Sequence, residues 1–393
     1  MVQSLERGGK NFTSGTTRSA VLKDLRHQIL AKRVAPGERL VTCRELAGEF
    51  NVSPMTAQRV LNGLSEDGFV VSRGRLGTFV ADHPPHLFRY GIVFTSDPTG
   101  GEQGYWPPAW NALNQEALRV HHVDPRRSVV PYYNITGHKD VKDYQRLLRD
   151  VRDYRLAGLI LVGPVCTMPL FDVPPFTDHS LPIVHVGMPG ARLTGVITLP
   201  VDPCGFLRKA LDELAGQGCK RVAVIDVPGS LVFEAGLARS EIEKRGMSTR
   251  PYWLLSIDHR TSATAKNVLH LLMVARGEDR PDAVVIENPF LVEHATEGLA
   301  AAGLRIPEEL KVIAGGNYPY VGRSCVPVKW LVSDIREMMR QCLVGIDARR
   351  RGELVSLLPP ITDLFEIEIA VGDPLQQLVQ EQRETVFAKK RKQ

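Results

Sequence analysis

Between Arg39 and Val80 lies the stretch that most constrains the fold, RLVTCRELAGEFNVSPMTAQRVLNGLSEDGFVVSRGRLGTFV. Thr42 stands where it can N-cap a short helix whose inward face is Leu46, Ala47 and Phe50, and Asn51-Val52 breaks that helix. Ser53-Pro54 starts the next one. The serine hydroxyl can accept an orphan backbone N–H, and Pro54 takes the first helical position, where its missing donor costs nothing. Ala57, Val60, Leu61 and Leu64 then recur at three- and four-residue steps and predict one buried stripe. The opposite face carries Met55, Thr56, Gln58, Arg59 and Asn62. Gly68 ends this helix, Phe69-Val70-Val71 begins a strand, Arg73-Gly74-Arg75 makes a basic turn and Gly77-Thr78-Phe79-Val80 returns. Upstream, Val21, Leu22, Leu25, Ile29 and Leu30 mark a packing helix closed off by Pro36-Gly37.

That succession predicts an α+β winged helix-turn-helix domain over 18–82, a layout that places one helix in the major groove of DNA. Charge supports the reading modestly. Residues 1 to 82 hold 12 Lys/Arg and 8 Asp/Glu, a net of +4, and the last five residues, KKRKQ, add another +4. With +5 overall, the stretch between carries about −3, so a basic head sits on a mildly acidic body. Shape and spacing, more than charge, carry the expectation, because Arg39, Arg59 and Arg75 could individually be solvated surface.

The segment resembles the winged-helix domain of the GntR family of bacterial transcription regulators. The matching features are Pro36-Gly37-Glu38-Arg39-Leu40, Arg44-Glu45-Leu46-Ala47, Asn51-Val52-Ser53 and Gly77-Thr78-Phe79-Val80. The resemblance implies phosphate and base contacts from Arg44, Ser53, Met55 and Thr56, with Arg73, Gly74 and Arg75 reaching toward the minor groove. Many relatives carry arginine where this chain has Pro54 and Gln58. Pro54 cannot read a guanine, whereas Gln58 can pair with adenine N6/N7, and Arg59 lies on the same face.

From residue 89 strands and helices alternate: RYGIVFTS, SVVPYYNI, AGLILVGP, PIVHVG, KRVAVIDV, YWLLSI, DAVVIE and KVIAGG read as strands, with helical segments between most of them. Such alternation predicts parallel sheets covered on both faces, and its length predicts two lobes dividing near Pro200. The chain is expected to re-enter the first lobe around 326 to 335 and to finish with SDIREMMRQCLVGIDARRRG as a helix. The remaining boundaries follow: a disordered extension at 1–17, an extended Pro-Pro linker with two solvated histidines at 83–88, a body at 89–373 and a basic tail at 374–393.

The body resembles the periplasmic-binding-protein-like effector domain of the LacI/GalR family. Its anchors are Val201-Asp202 before the helix through Leu211 to Gly218, KRVAVID, PDAVVIEN, Gly303-Leu304-Arg305-Ile306-Pro307-Glu308 and LVSDIREMMRQCLVGI. A GntR-type head on such a body is similar in architecture to arabinose-responsive repressors. The resemblance implies a cleft ligand, yet its polar anchors are altered. Phe233 stands where sugar-responsive relatives carry an arginine, Asn288-Pro289 keeps only the asparagine of an Asn-Asp pair, and Gly316-Asn317 replaces Asp-Asp. Each lost charge-assisted hydrogen bond is worth about 1.5–3 kcal/mol, so either the effector differs from a typical sugar, being more apolar or a modified saccharide, or the site is vestigial. Trp106, Trp110 and Tyr105 can form a stacking wall or simply pack, and Asp97 can accept a ligand hydroxyl or serve as the turn-former before Pro98.

The function expected is that of a DNA-binding regulator, a repressor, acting as a homodimer on double-stranded operator DNA under a small-molecule, saccharide-like effector. Two readings compete: a ligand-independent DNA binder, and an α/β enzyme fused to a DNA-binding head. The chain lacks GxGxxG at a strand–helix junction, GxxxxGK[ST], GxSxG and HExxH, so it is expected not to be an enzyme and to use no cofactor. Six cysteines are scattered without a CxxC, which fits reduced thiols in a cytoplasm and no metal site. No apolar run reaches the roughly 18 residues of a membrane span, so no membrane partner is expected.

Overall fold

The computed structural model describes residues 18–99, 106–136, 138, 140–163, 181–187, 195–202, 204–230, 236–275, 277–359 and 365–367. The expected 1–17 extension, the 374–393 tail, Tyr105 and Phe233 lie outside the described residues. In the head, helices α1 (Arg18–Leu30), α2 (Cys43–Glu49) and α3 (Pro54–Glu66) close over Leu25, Ile29, Leu46, Phe50, Val60 and Leu64. Thr42 and Glu45 form a reciprocal capping box at the start of α2. Ser53 Oγ accepts the Thr56 N–H at 3.1 Å, with Pro54 inside the first turn of α3. Strands β1 (Val70–Ser72) and β2 (Thr78–Val80) pair antiparallel, Val70 opposite Val80. The wing turn is longer than a tight hairpin: Gly74–Leu76 form a 3-10 turn, and Gly77, at φ 108°, redirects the chain into β2.

The linker departs from expectation. Instead of an extended spacer it makes a helical turn, α4 (Pro85–Phe88), with Pro85 at the first helical position and its ring against Gly68. His86 is half-buried, its ring stacked on Phe69 at 5.8 Å between centroids. The physical reason is apolar: both prolines are buried at the seam between head and body.

In the first lobe, β3 (Arg89–Val93), β4 (Ser128–Tyr132), β5 (Gly158–Val162), β6 (Ile183–Gly187) and β7 (Ile197–Pro200) form a parallel sheet in the order β4-β3-β5-β6-β7. Helices α5 (Pro108–Val123) and α6 (Lys142–Arg152) flank it. The second sheet contains β8 (Val222–Asp226), β9 (Leu254–Ser256), β10 (Ala283–Ile286), β11 (Lys311–Tyr318), β12 (Lys329–Asp334) and β13 (Phe365–Ile367). Its order is β13-β12-β11-β10-β8-β9, parallel except for β13. Helices α7 (Gly205–Gly216), α8 (Leu237–Lys244), α9 (Thr264–Val274) and α10 (Pro289–Ala301) cover this sheet. Strands such as GLILV, VAVID and AVVI are buried along their whole length, which is why they read as continuous apolar runs.

The last helix, α11 (Ile335–Arg350), packs Met339, Cys342 and Ile346 into the first-lobe core beside Ile92 and Phe94. The return to the first lobe falls at Asp334–Ile335, later than most of the expected 326–335 window, because β12 pairs with β11 through Asp334. Asp334 caps α11 by accepting the N–H groups of Arg336 and Glu337.

Head and body are joined by a buried ion network. Asp67, the C-cap of α3, accepts from Arg26 of α1 and from Arg155 of the body. Arg26 also donates to Asp153 at 2.6 Å, and Arg155 to Asp150 at 3.3 Å. Asp150 in turn accepts the Tyr132 hydroxyl at 2.7 Å and lies 3.5 Å from Arg89. Three arginines face three aspartates, so the desolvated charges balance. His27 meets Tyr154 edge-on at 4.8 Å beside them.

Candidate DNA-reading face and effector cleft

The stripe that buries Ala57, Val60, Leu61 and Leu64 leaves the other side of α3 in solvent. Met55 is 63% exposed, Gln58 and Arg59 are exposed, and Thr56 is half-buried. Ser53 is exposed, and its Oγ lies 2.9 Å from the Thr56 hydroxyl, so these two groups organise each other at the helix start. Gln58 donates to Asn62 one turn on at 2.9 Å, which holds its amide along the helix surface. Arg44 lies exposed on α2. Arg73, Gly74 and Arg75 are exposed at the wing, where Arg73 rests over the Phe79 ring at 4.8 Å and sits 3.8 Å from Asp82. The expected DNA-contacting residues therefore all lie in the head at the recognition-helix start, the neighbouring helix and the wing. The opposite end of α3, about 20 Å away along its axis, is the end held by Arg26 and Arg155.

The expected cleft residues divide between the lobes. Trp106 is buried against Phe94 at 5.0 Å and meets Trp110 edge-on at 5.6 Å. Trp110 lies across Gly163 so closely that a Cβ there would stand 2.7 Å from the indole. Tyr133 completes the aromatic group, and its hydroxyl donates to Asn114 at 2.7 Å. These rings are packed, yet the Trp106 Nε1 donor is buried without a partner among the described residues. Asp97 is a turn-former: it accepts the Thr99 N–H at 2.8 Å and the Asn134 amide at 2.6 Å. Asn288 caps α10 by accepting the Phe290 N–H at 3.1 Å, and Asn317 is half-buried near the end of β11. Tyr320, just past β11, packs against the first-lobe core, and Arg336 lies over Tyr318 at 5.2 Å.

Three groups escape the sequence reading. Ile225 and Ile286 are registered partners, so Asp226 and Glu287, one step on, stand side by side on one face at adjacent strand ends. Asp226 accepts from Val227 N–H and Ser230, while Glu287 Oε2 is buried with no partner. Burial, then the Asp226 charge, pushes the Glu287 carboxyl up to about 9, and burial also raises Asp226. Arg336, at the crossing between lobes, has a buried Nε without a partner. The available signal was an acid at the carboxyl end of each of two apolar strands, IDV and IEN, the edge at which such sheets take ligands. Among the described residues no three His, Cys, Asp or Glu side chains converge as a metal site, and no helix is long and apolar enough to cross a membrane.

Residues 17–80 match the gntR family of bacterial regulatory proteins, and residues 211–353 match a periplasmic-binding-protein-like domain. The chain joins a gntR-type head to a periplasmic-binding-protein-like body. An HTH-type transcriptional regulator of Mycobacterium tuberculosis, Rv1152, is 38% identical over 65 residues, 16% of this chain and 54% of that protein. The chain thus spans about half the length of that curated relative. A regulatory protein of the LacI family from Chloroflexus aggregans superposes with a TM-score of 0.54 and 19% identity, over 72% of this chain and 99% of the other. The transcriptional regulator CelR, solved as a cellobiose complex, superposes at 0.52 and 19% identity, over 84% of this chain and 94% of the other. At such identities the solved structures show that the body shares a fold with LacI-family regulators.

Proposed function

We propose that this chain is a sequence-specific, DNA-binding transcription repressor that works as a homodimer and is controlled by a small molecule held between the lobes. The observation that carries the reading is the capped, solvent-facing start of α3, with Met55, Thr56, Gln58 and Arg59 beside a basic wing. A single winged helix buries too little surface to discriminate sites, so two heads on one rigid body gain by effective concentration and read a two-fold operator. Gel-shift titration against the chain's own upstream region tests this. Specific binding at physiological salt that is lost in the folded Thr56→Ala/Arg59→Ala variant supports it; equal affinity for scrambled DNA ends it.

For the effector, the Trp106 Nε1, Glu287 Oε2 and Arg336 Nε, unpartnered among the described residues, favour a polyhydroxylated ligand, a saccharide or modified saccharide, over a vestigial cleft. CelR's cellobiose complex is a supporting parallel in the same fold. Ligand-driven movement of the first lobe would reach α3 through Arg155 and Asp67. A thermal-shift panel of sugars that gives no response at millimolar concentration, with operator binding intact, would leave the ligand-independent reading in place.

A further inference from the structure

A cavity of about 820 Å³ opens at the seam between head and body, bounded by the end of α1, the linker turn and the base of the first lobe. Six cationic side chains line it: Lys32 from the head, Arg126 and Arg127 from the turn after α5, and Arg349, Arg350 and Arg351 from the end of α11. One carboxylate, Asp347, faces them. It already accepts from Tyr90 at 2.7 Å, Arg127 at 2.9 Å and Arg350 at 3.3 Å. Glu353 holds Arg351 at 2.7 Å, and Asp124 lies 3.7 Å from Arg127. Among the described residues Lys32, Arg126 and Arg349 pair with no carboxylate, Arg349 donating instead to the Val355 carbonyl at 3.2 Å, which leaves a net excess of positive charge around a concave space. A basic residue in the last turn of α11 would be accounted for by the helix dipole. Lys32 and Arg126 belong to other elements, so the dipole gives no reason for them.

A second observation points the same way. His86 lines the cavity, and its Nδ1 is buried without a partner. Burial, then the Arg350 charge, lowers this imidazole to about 4, so the ring is neutral and its buried Nδ1 keeps an unmet hydrogen-bonding capacity in the cavity wall. The same ring stacks on Phe69, at the root of the wing.

We propose that this cavity is a second ligand site, separate from the cleft, and that it takes a small phosphorylated metabolite. The phosphate seats among Arg126, Arg349 and Lys32, whose planar forks and ammonium suit its oxygens, and the remainder of the molecule reaches His86. The volume falls within the roughly 300–1,000 Å³ of small-molecule sites. Because the walls come from head, linker and body together, a bound phosphate ester would favour the docked arrangement over any other.

Isothermal titration of the full chain with inorganic pyrophosphate and with glucose 6-phosphate, at ionic strength held constant with chloride, tests the site. The expected result is saturable binding of at least one probe with Kd below about 1 mM. The Arg126→Ala/Arg349→Ala variant, its unliganded Tm within about 2 °C of the parent, should weaken it by about tenfold or more. If that variant misfolds, Arg126→Glu alone, at an exposed position, should show the same loss. No saturable binding, or binding equal in the variant, overturns the proposal. DNA backbone is the other source of the same chemistry. If neither probe binds while the variant weakens non-specific duplex binding and flattens its salt dependence, the cations serve DNA and the proposal fails. The titration contains no DNA, so it stands apart from operator recognition.

Discussion

Replacing Asp67 with asparagine removes the charge on which the head-to-body junction turns. In the junction the Arg26 side chain is 8% exposed and Asp67 10%. Breaking a buried ion pair from one side costs about 3–5 kcal/mol, because the partner's charge stays desolvated. Here the loss is smaller. Asp153 remains 2.6 Å from Arg26 and Asp150 remains 3.3 Å from Arg155, so part of the compensation survives and about 2 kcal/mol is expected. A chain of several cores does not unfold in one step, so the assay is native-state hydrogen exchange, read on amides of α1 and α3. Their exchange should speed up about thirtyfold, the equivalent of that free energy, while amides of β8 and β10 in the far lobe stay unchanged. The double-mutant cycle with Arg155→Met should return a coupling of about 1 kcal/mol or more. Unaltered α3 exchange, or strictly additive Asp67 and Arg155 effects, would refute the idea that the C-cap of the recognition helix is anchored by the body.

Other perturbations have equally definite signs. Ser53→Ala deletes the hydroxyl that caps α3 and should destabilise the head by about 1 kcal/mol, measurable as earlier loss of helical circular dichroism; no change would mean that the cap contributes nothing. Glu287 has a folded value near 9 against an ordinary 4.5, so the native state holds that proton more tightly than the unfolded chain. The resulting stability is complete below about pH 4.5 and declines as pH rises toward 9. Glu287→Gln should therefore raise Tm at about pH 8 and leave it nearly unchanged at about pH 5; a gain that is flat with pH contradicts the burial argument. At Gly298 on α10, an added Cβ would stand 2.2 Å from the Lys266 backbone oxygen on α9. Gly298→Ala should cost about 1–3 kcal/mol by forcing these helices apart, and a thermal melt matching the parent would show that the contact is loose.

Much of the fold was legible because its signals are local. The caps at Thr42 and Ser53, the stripe through Ala57, Val60, Leu61 and Leu64, and the apolar strands GLILV and AVVI are each set by interactions within a few residues. The exposure of the residues expected to contact DNA followed from the same source, since the face opposite a buried stripe has nowhere to go except solvent. The cleft was legible only in part. Asp97 also shapes its own turn and holds Asn134, Asn288 also caps a helix, and the tryptophans also pack. The pair Asp226 and Glu287 went unread because its closeness depends on the register of β8 against β10, which no window along the chain contains. The linker misled for a related reason: Pro84-Pro85 alone reads as an extended spacer, and only burial at the seam makes a helical turn worthwhile.

By itself, then, the chain determined that there would be a capped recognition helix, a basic wing and two parallel sheets, because hydrogen bonding to near neighbours and apolar periodicity decide those. Where the head sits was decided only by tertiary structure. Arg26 reaches Asp153 across 127 residues, and Arg155 reaches Asp67 across 88. Such charges tolerate burial only when partners arrive from distant segments, so their meeting is a property of the packed molecule and not of any stretch of sequence.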